Sequence, residues 1–88
     1  MNANYIYDIF ETCEKNDIPD LTIALAHLQT TKPLPEGLTE DQVNKFIGRH
    51  YDELAAAYQT HDRDVFAEVV AIAEQEDAAL AEPEGSEA

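Results

Sequence analysis

Residues 39–58 read Thr39-Glu40-Asp41-Gln42-Val43-Asn44-Lys45-Phe46-Ile47-Gly48-Arg49-His50-Tyr51-Asp52-Glu53-Leu54-Ala55-Ala56-Ala57-Tyr58, and this stretch decides the fold class. Its opening is a capping box. The Thr39 hydroxyl is placed to accept from the Gln42 amide while the Gln42 side chain reaches back to Thr39. Val43, Phe46, Ile47, His50/Tyr51, Leu54, Ala57 and Tyr58 then recur at spacings of three and four, which predicts one helix of more than four turns. Asp41–Lys45 and Arg49–Glu53 are opposite charges four apart, each predicted to pair along the helix. Gly48 costs about 1 kcal/mol against Ala in a helix interior. It is expected to serve the close approach of a neighbouring helix, or a slight bend.

Downstream, Thr60-His61-Asp62 breaks the stripe and can cap a last helix. Val65, Phe66, Val69, Ile72/Ala73 and Leu80 are expected to form its buried side. Fraying is expected after Ala81, leaving residues 82–88 as a flexible, disordered acidic tail. Upstream, Thr30-Thr31-Lys32-Pro33-Leu34-Pro35-Glu36-Gly37 loses backbone donors at two prolines and turns at a glycine, an extended connection. Pro-Leu-Pro also has the form of a polyproline ligand, but such tripeptides are common between helices. A second helix is predicted to start at Asp17-Ile18-Pro19-Asp20, with Pro in the first turn and a stripe of Ile18, Leu21, Ala24, Leu25 and Leu28. Residues 4–15 predict a first helix with Tyr5, Ile6, Ile9, Phe10 and Cys13 inward and a Glu11–Lys15 pair outside. The fold class read from the sequence is therefore all-α. A small four-helix bundle-like domain over 1–81 ends in an antiparallel pair of helices.

The chain has 88 residues, enough for one small domain, with 19 Asp plus Glu against five Lys plus Arg and a formal charge of −14. A field of that sign repels phosphate, so direct binding to nucleic acid or an anionic membrane is not expected. The single cysteine, Cys13, can form neither an internal disulfide nor a thiolate cage, which fits a reducing cytoplasm. The N-terminal residues have no basic region and reach acids at Asp8 and Glu11, so no signal peptide is expected. The longest strictly apolar run, Val69 to Ala73, falls far short of the roughly 20 residues of a membrane span.

Chemistry-bearing patterns are sparse. His27, His50 and His61 fall on different elements, and none forms His-x₃-His or Glu-x-x-His. His50 and Glu53 share a helical face and could offer two ligands, too few for a di-iron centre. Asp62-x-Asp64 starts like a calcium loop, but Phe66 and the lack of a following glycine break it. Cys13 sits in an apolar stripe, where cysteine acts as a small hydrophobe. No glycine-rich phosphate loop exists. No cofactor, metal centre or catalytic dyad is expected, and the chain reads as a non-enzyme.

Charge distribution is more informative. Residues 1–63 carry every Lys and Arg and a net −6, while residues 64–88 carry eight acids and no Lys or Arg. Glu74, Glu76 and Asp77 are read as approaching a helix C-terminus, where the dipole disfavours acids by a few tenths of a kcal/mol each. Retaining them there suggests that the negative field is useful. One use is imitation of nucleic acid, in which carboxylates occupy a basic groove and displace its counterions. From Asp64 to Asp77 the helix offers roughly one acid per 4 Å, against about one charge per 1.7 Å for a duplex, so other acids must contribute. An acidic surface that serves solubility alone weighs about equally.

In overall character (small, highly acidic, helical, single-cysteine, without a catalytic signature) the chain resembles phage-encoded inhibitors of host defence, including anti-CRISPR and anti-restriction proteins. The likeness covers no aligned positions and assigns no residue. The expectation is a cytoplasmic helical inhibitor, in the host cytoplasm if phage-encoded, that binds a basic surface of a nucleic-acid-binding protein as a DNA mimic. Asp64, Glu68, Glu74, Glu76 and Asp77 are the expected contacts, supported by Asp41, Asp52 and Glu53. The rival expectation is a helical adaptor or phage assembly protein that binds through an apolar patch. Tyr7, Ile23 and Tyr58, at the edges of the stripes, would then form the patch or a homodimer seam.

Overall fold

The computed structural model describes residues 1–87, with side chains as far as residue 79. Its regular structure among the described residues is five helices and no strand: α1 (Ala3–Asn16), α2 (Leu21–Gln29), α3 (Glu40–Arg49), α4 (Tyr51–Gln59) and α5 (Arg63–Glu87). The backbone of α5 continues through residues 82–87, which the sequence reads as a frayed tail, and residue 88 lies outside the described residues.

Local chemistry sets the boundaries. Asn2 caps α1 by accepting from the Tyr5 amide at 3.0 Å. Asp17 ends that helix in the left-handed region at φ 55°, and the Ile18 amide returns to the Cys13 carbonyl at 2.9 Å. That closure satisfies the last carbonyls of α1 but consumes residues 17 and 18. As a result α2 starts later than the sequence suggests. Asp20 is its N-cap, accepting from the Thr22 amide at 2.8 Å, and Pro19 lies outside the helix.

The connection from α2 to α3 is held at its first end by Tyr5, whose hydroxyl donates to the Lys32 carbonyl at 2.7 Å. It turns at Gly37, where φ is 83°. The Thr39–Gln42 capping box then forms with both of its bonds, at 3.0 and 3.2 Å.

The long helix expected over 40–58 is two helices. His50 lies between them at φ −120°, ψ 25°. Its amide still donates to the Phe46 carbonyl, and its carbonyl still accepts from the Leu54 amide. These two bonds are kept where the chain changes direction. Gly48 does not serve a close approach, because a Cβ there would meet nothing within 4 Å.

α1 is the central element, buried continuously from Tyr5 to Phe10. It packs against α2, α4 and α5, and α4 and α5 pack on each other across the turn Thr60–Asp62. Two expectations are corrected here. Tyr7 and Tyr58 are core residues, not an exposed patch. Their rings meet at 5.0 Å, and Phe66 stands edge-on to Tyr7 at 5.4 Å. α5 is also rotated from its expected face. Phe66, Val70 and Ala73 point inward, Val69 is half-buried, and Val65 and Ile72 are exposed. The aromatic cluster of α1 and α4 selects Phe66 as the anchor, and the helical period then sets the remaining inward positions.

Candidate functional site

The sequence-predicted acids fall into three sets. Asp62 caps α5, accepting from the Asp64 amide at 2.9 Å and from the Val65 amide at 3.4 Å. From that start the inward row 66, 70, 73 continues to Asp77, so Asp77 lies on the inner edge of α5. Glu74, one turn beyond Val70, is half-buried and paired with the Met1 ammonium. Asp64, Glu68 and Glu76 are exposed.

Asp77 is the best-connected of the predicted acids. Arg49 Nη2 donates to its Oδ2 at 2.8 Å, and His50 Nε2 lies 2.9 Å from its Oδ1. The Arg49 hydrogen bond, joined by that of His50, outweighs partial burial and holds the Asp77 carboxyl below the usual carboxylate range. The expected Arg49–Glu53 pair does not form. With His50 out of helical geometry, Arg49 and Glu53 no longer stack one turn apart, and Arg49 turns across to α5. The acids of α5 are thus partly neutralised from α3 and from the N-terminus, which charge counting along the chain does not show. Because α5 runs on to Glu87, the expected dipole penalty at residues 74–77 also lapses.

Around His50 a tighter group assembles. The residue is only 7% exposed, its Nδ1 lying 3.4 Å from Glu53 Oε1 and 4.0 Å from Glu76 Oε1. One ligand atom from each of His50, Glu53 and Glu76 lies within 4.8 Å of the others. The structure thus brings Glu53, Glu76 and Asp77 together around one buried imidazole. Asp41 stands elsewhere, paired with Lys45 at 3.1 Å. It lines an open groove of about 530 Å³ between α3 and α5, together with Glu74, Asp77, Lys45 and Arg49. Asp52, exposed on α4, belongs to neither group.

Sequence reading missed Asp8. It is buried in the middle of α1, where Arg63 Nη2 reaches its Oδ1 at 2.8 Å and Lys32 bonds its Oδ2. Burial alone would raise its pKa, but the Lys32 and Arg63 hydrogen bonds prevail and lower it. The available signal was one acid inside the apolar run Tyr5-Ile6-Tyr7-Asp8-Ile9-Phe10. A lone charge in such a run needs a partner.

Every Lys and Arg is in fact committed: Lys15 to Glu11, Lys32 and Arg63 to Asp8, Lys45 to Asp41, and Arg49 to Asp77. Among the described residues Asp17, Glu36, Asp52, Asp64 and Glu68 have no side-chain partner. Asp64 and Glu68 stand one turn apart on the outer face of α5. They are flanked by exposed Val65 and, one turn on, by Ile72. Comparison of the chain with protein-family models, curated proteins and solved structures finds no match in any of the three.

Proposed function

We propose that the protein is a non-enzymatic helical binding protein that offers an anionic surface to a basic partner. In its sharper form it is an inhibitor occupying the nucleic-acid groove of that partner. The observation that carries this reading is the state of the cations. All five Lys and Arg are engaged by acids of their own chain, while Asp64, Glu68 and Asp52 are exposed without a partner. The surface therefore meets a partner with free carboxylates and no free Lys or Arg.

The contact set is weighted differently from the sequence expectation. Asp64, Glu68 and Asp52 lead, with Glu53 and Glu76 beside them. Asp41, Glu74 and Asp77 would have to leave internal partners before meeting a cation, so their contribution is smaller. Three acids from Asp64 to Glu76 give roughly one charge per 6 Å of helix, so this helix alone is far below duplex density.

The second reading is an adaptor or phage assembly protein that docks through apolar surface. It rests on Val65, 36% exposed, and Ile72, 52% exposed, on the same helix as the free acids. Capture from host lysate separates the two. One variant carries Asp52→Asn, Asp64→Asn and Glu68→Gln; the other carries Val65→Ala and Ile72→Ala. Under the anionic reading the first loses the captured protein and the second keeps it. The opposite pattern overturns that reading.

A further inference from the structure

We propose that His50, Glu53 and Glu76 form a site for one divalent transition metal ion of the zinc class, fastening the start of α4 to α5. Position and chemistry both support it. His50 is more than nine-tenths buried, and its ring carries an acid on each nitrogen side. On the Nε2 side, Asp77 Oδ1 lies 2.9 Å away and Arg49 holds the other oxygen of that carboxylate. With an ion on Nδ1 the ring is neutral, and its remaining N–H, on Nε2, is placed to donate to Asp77 Oδ1. A carboxylate on the far nitrogen is the usual support of a metal-bound histidine.

Nδ1 faces Glu53 Oε1 at 3.4 Å and Glu76 Oε1 at 4.0 Å. The first distance is at the long limit of hydrogen bonding, and the second is beyond it. Donors around a tetrahedral zinc ion, at its usual bond lengths, lie about 3.3–3.5 Å apart. The Glu53 oxygen meets that spacing as it stands. The three ligand atoms fall within 4.8 Å of one another, and both glutamates are about half exposed, so the remaining adjustment is a rotation of free side chains. An imidazole with two carboxylates neutralises a divalent charge and leaves a fourth position open to solvent. The nitrogen favours zinc-class ions over calcium or magnesium, which take all-oxygen shells.

The site shares Glu53 and Glu76 with the edge of the proposed contact surface, but its leading acids, Asp64, Glu68 and Asp52, take no part in it, so ion binding is tested without any partner. The third ligand explains why spacing within one helix predicts no metal centre. His50 and Glu53 are a pair on one turn, and only the packing of α5 brings Glu76 to them.

Zinc chloride titrated into the full chain, followed by calorimetry and by the ring resonances of the three histidines, tests the proposal. One ion per chain is expected, shifting the resonances of His50 and leaving those of His27 and His61 in place. Glu53→Gln and Glu76→Gln each weaken binding by about tenfold or more, and Glu68→Gln, an equally exposed acid of α5, leaves it unchanged. Both glutamates are on the surface, so these variants test the site even if a His50 substitution fails to fold. The proposal is overturned by no binding at roughly millimolar zinc, a weakness beyond that of a ligand set this size. It is equally overturned if Glu68→Gln weakens binding as much as Glu53→Gln, or if His27 or His61 responds in place of His50.

Discussion

Asp8 ties three separate parts of the chain to one carboxylate: α1 itself, Lys32 at the end of α2, and Arg63 at the start of α5. Replacing it with Asn removes charge-assisted hydrogen bonds worth about 2 kcal/mol together, since both cations can fall back on solvent. The pH dependence follows from the direction of its shift. The folded-state pKa is depressed, so the carboxylate contributes fully above the unfolded value and loses its contribution as pH falls through the folded one. Urea unfolding of the wild type and of Asp8→Asn should therefore show a constant gap from pH 7 to 5 that closes below about pH 4. A gap that does not narrow as the pH falls below about 4 would place the effect in packing and not in charge. Tyr58 is a second such residue. Burial, then the Glu14 carboxylate that its hydroxyl meets at 2.6 Å, push its phenol well above the ordinary value.

At the scale of elements, the signals that depend on near neighbours were legible. The Thr39–Gln42 box, the Lys15–Glu11 and Lys45–Asp41 pairs, the stripe of α1 and, from Leu21 onward, that of α2 appear as the residue spacing predicts. What depended on packing was not. Tyr7 and Tyr58 look peripheral on their own helices and become central only because α1 is covered by three others. The break at His50 was hidden because Phe46, Ile47, His50 and Leu54 keep their spacing through it. Gly48, two residues earlier, is not the cause by contact, since nothing occupies the space its side chain would take. Gly48→Ala is therefore expected to raise the stability of the fold by up to about 1 kcal/mol, read as a higher urea midpoint with unchanged slope. A loss of stability would mean that the redirection after α3 needs glycine's freedom.

For the whole molecule, the net charge and the position of the last helix were readable in advance, but the partial neutralisation of that helix was not. The chain neutralises Asp77 and Glu74 with groups far away in sequence, Arg49 and the N-terminal ammonium. Pairing four residues apart, the only kind visible along a helix, assigned Arg49 to Glu53 instead. The remaining carboxylates, foremost Asp64, Glu68 and Asp52, are the part of the surface that a cationic partner would meet. Such attraction has a signature in ionic strength, because displaced counterions make affinity fall steeply with salt. The most direct measurement is elution of proteins captured from a cell lysate on the immobilised chain, across a salt gradient of roughly 50 to 200 mM, with and without competing duplex DNA. The account predicts that nucleic-acid-binding proteins come off within that range and that DNA displaces them. Captured proteins that stay bound through the gradient and ignore DNA would contradict it.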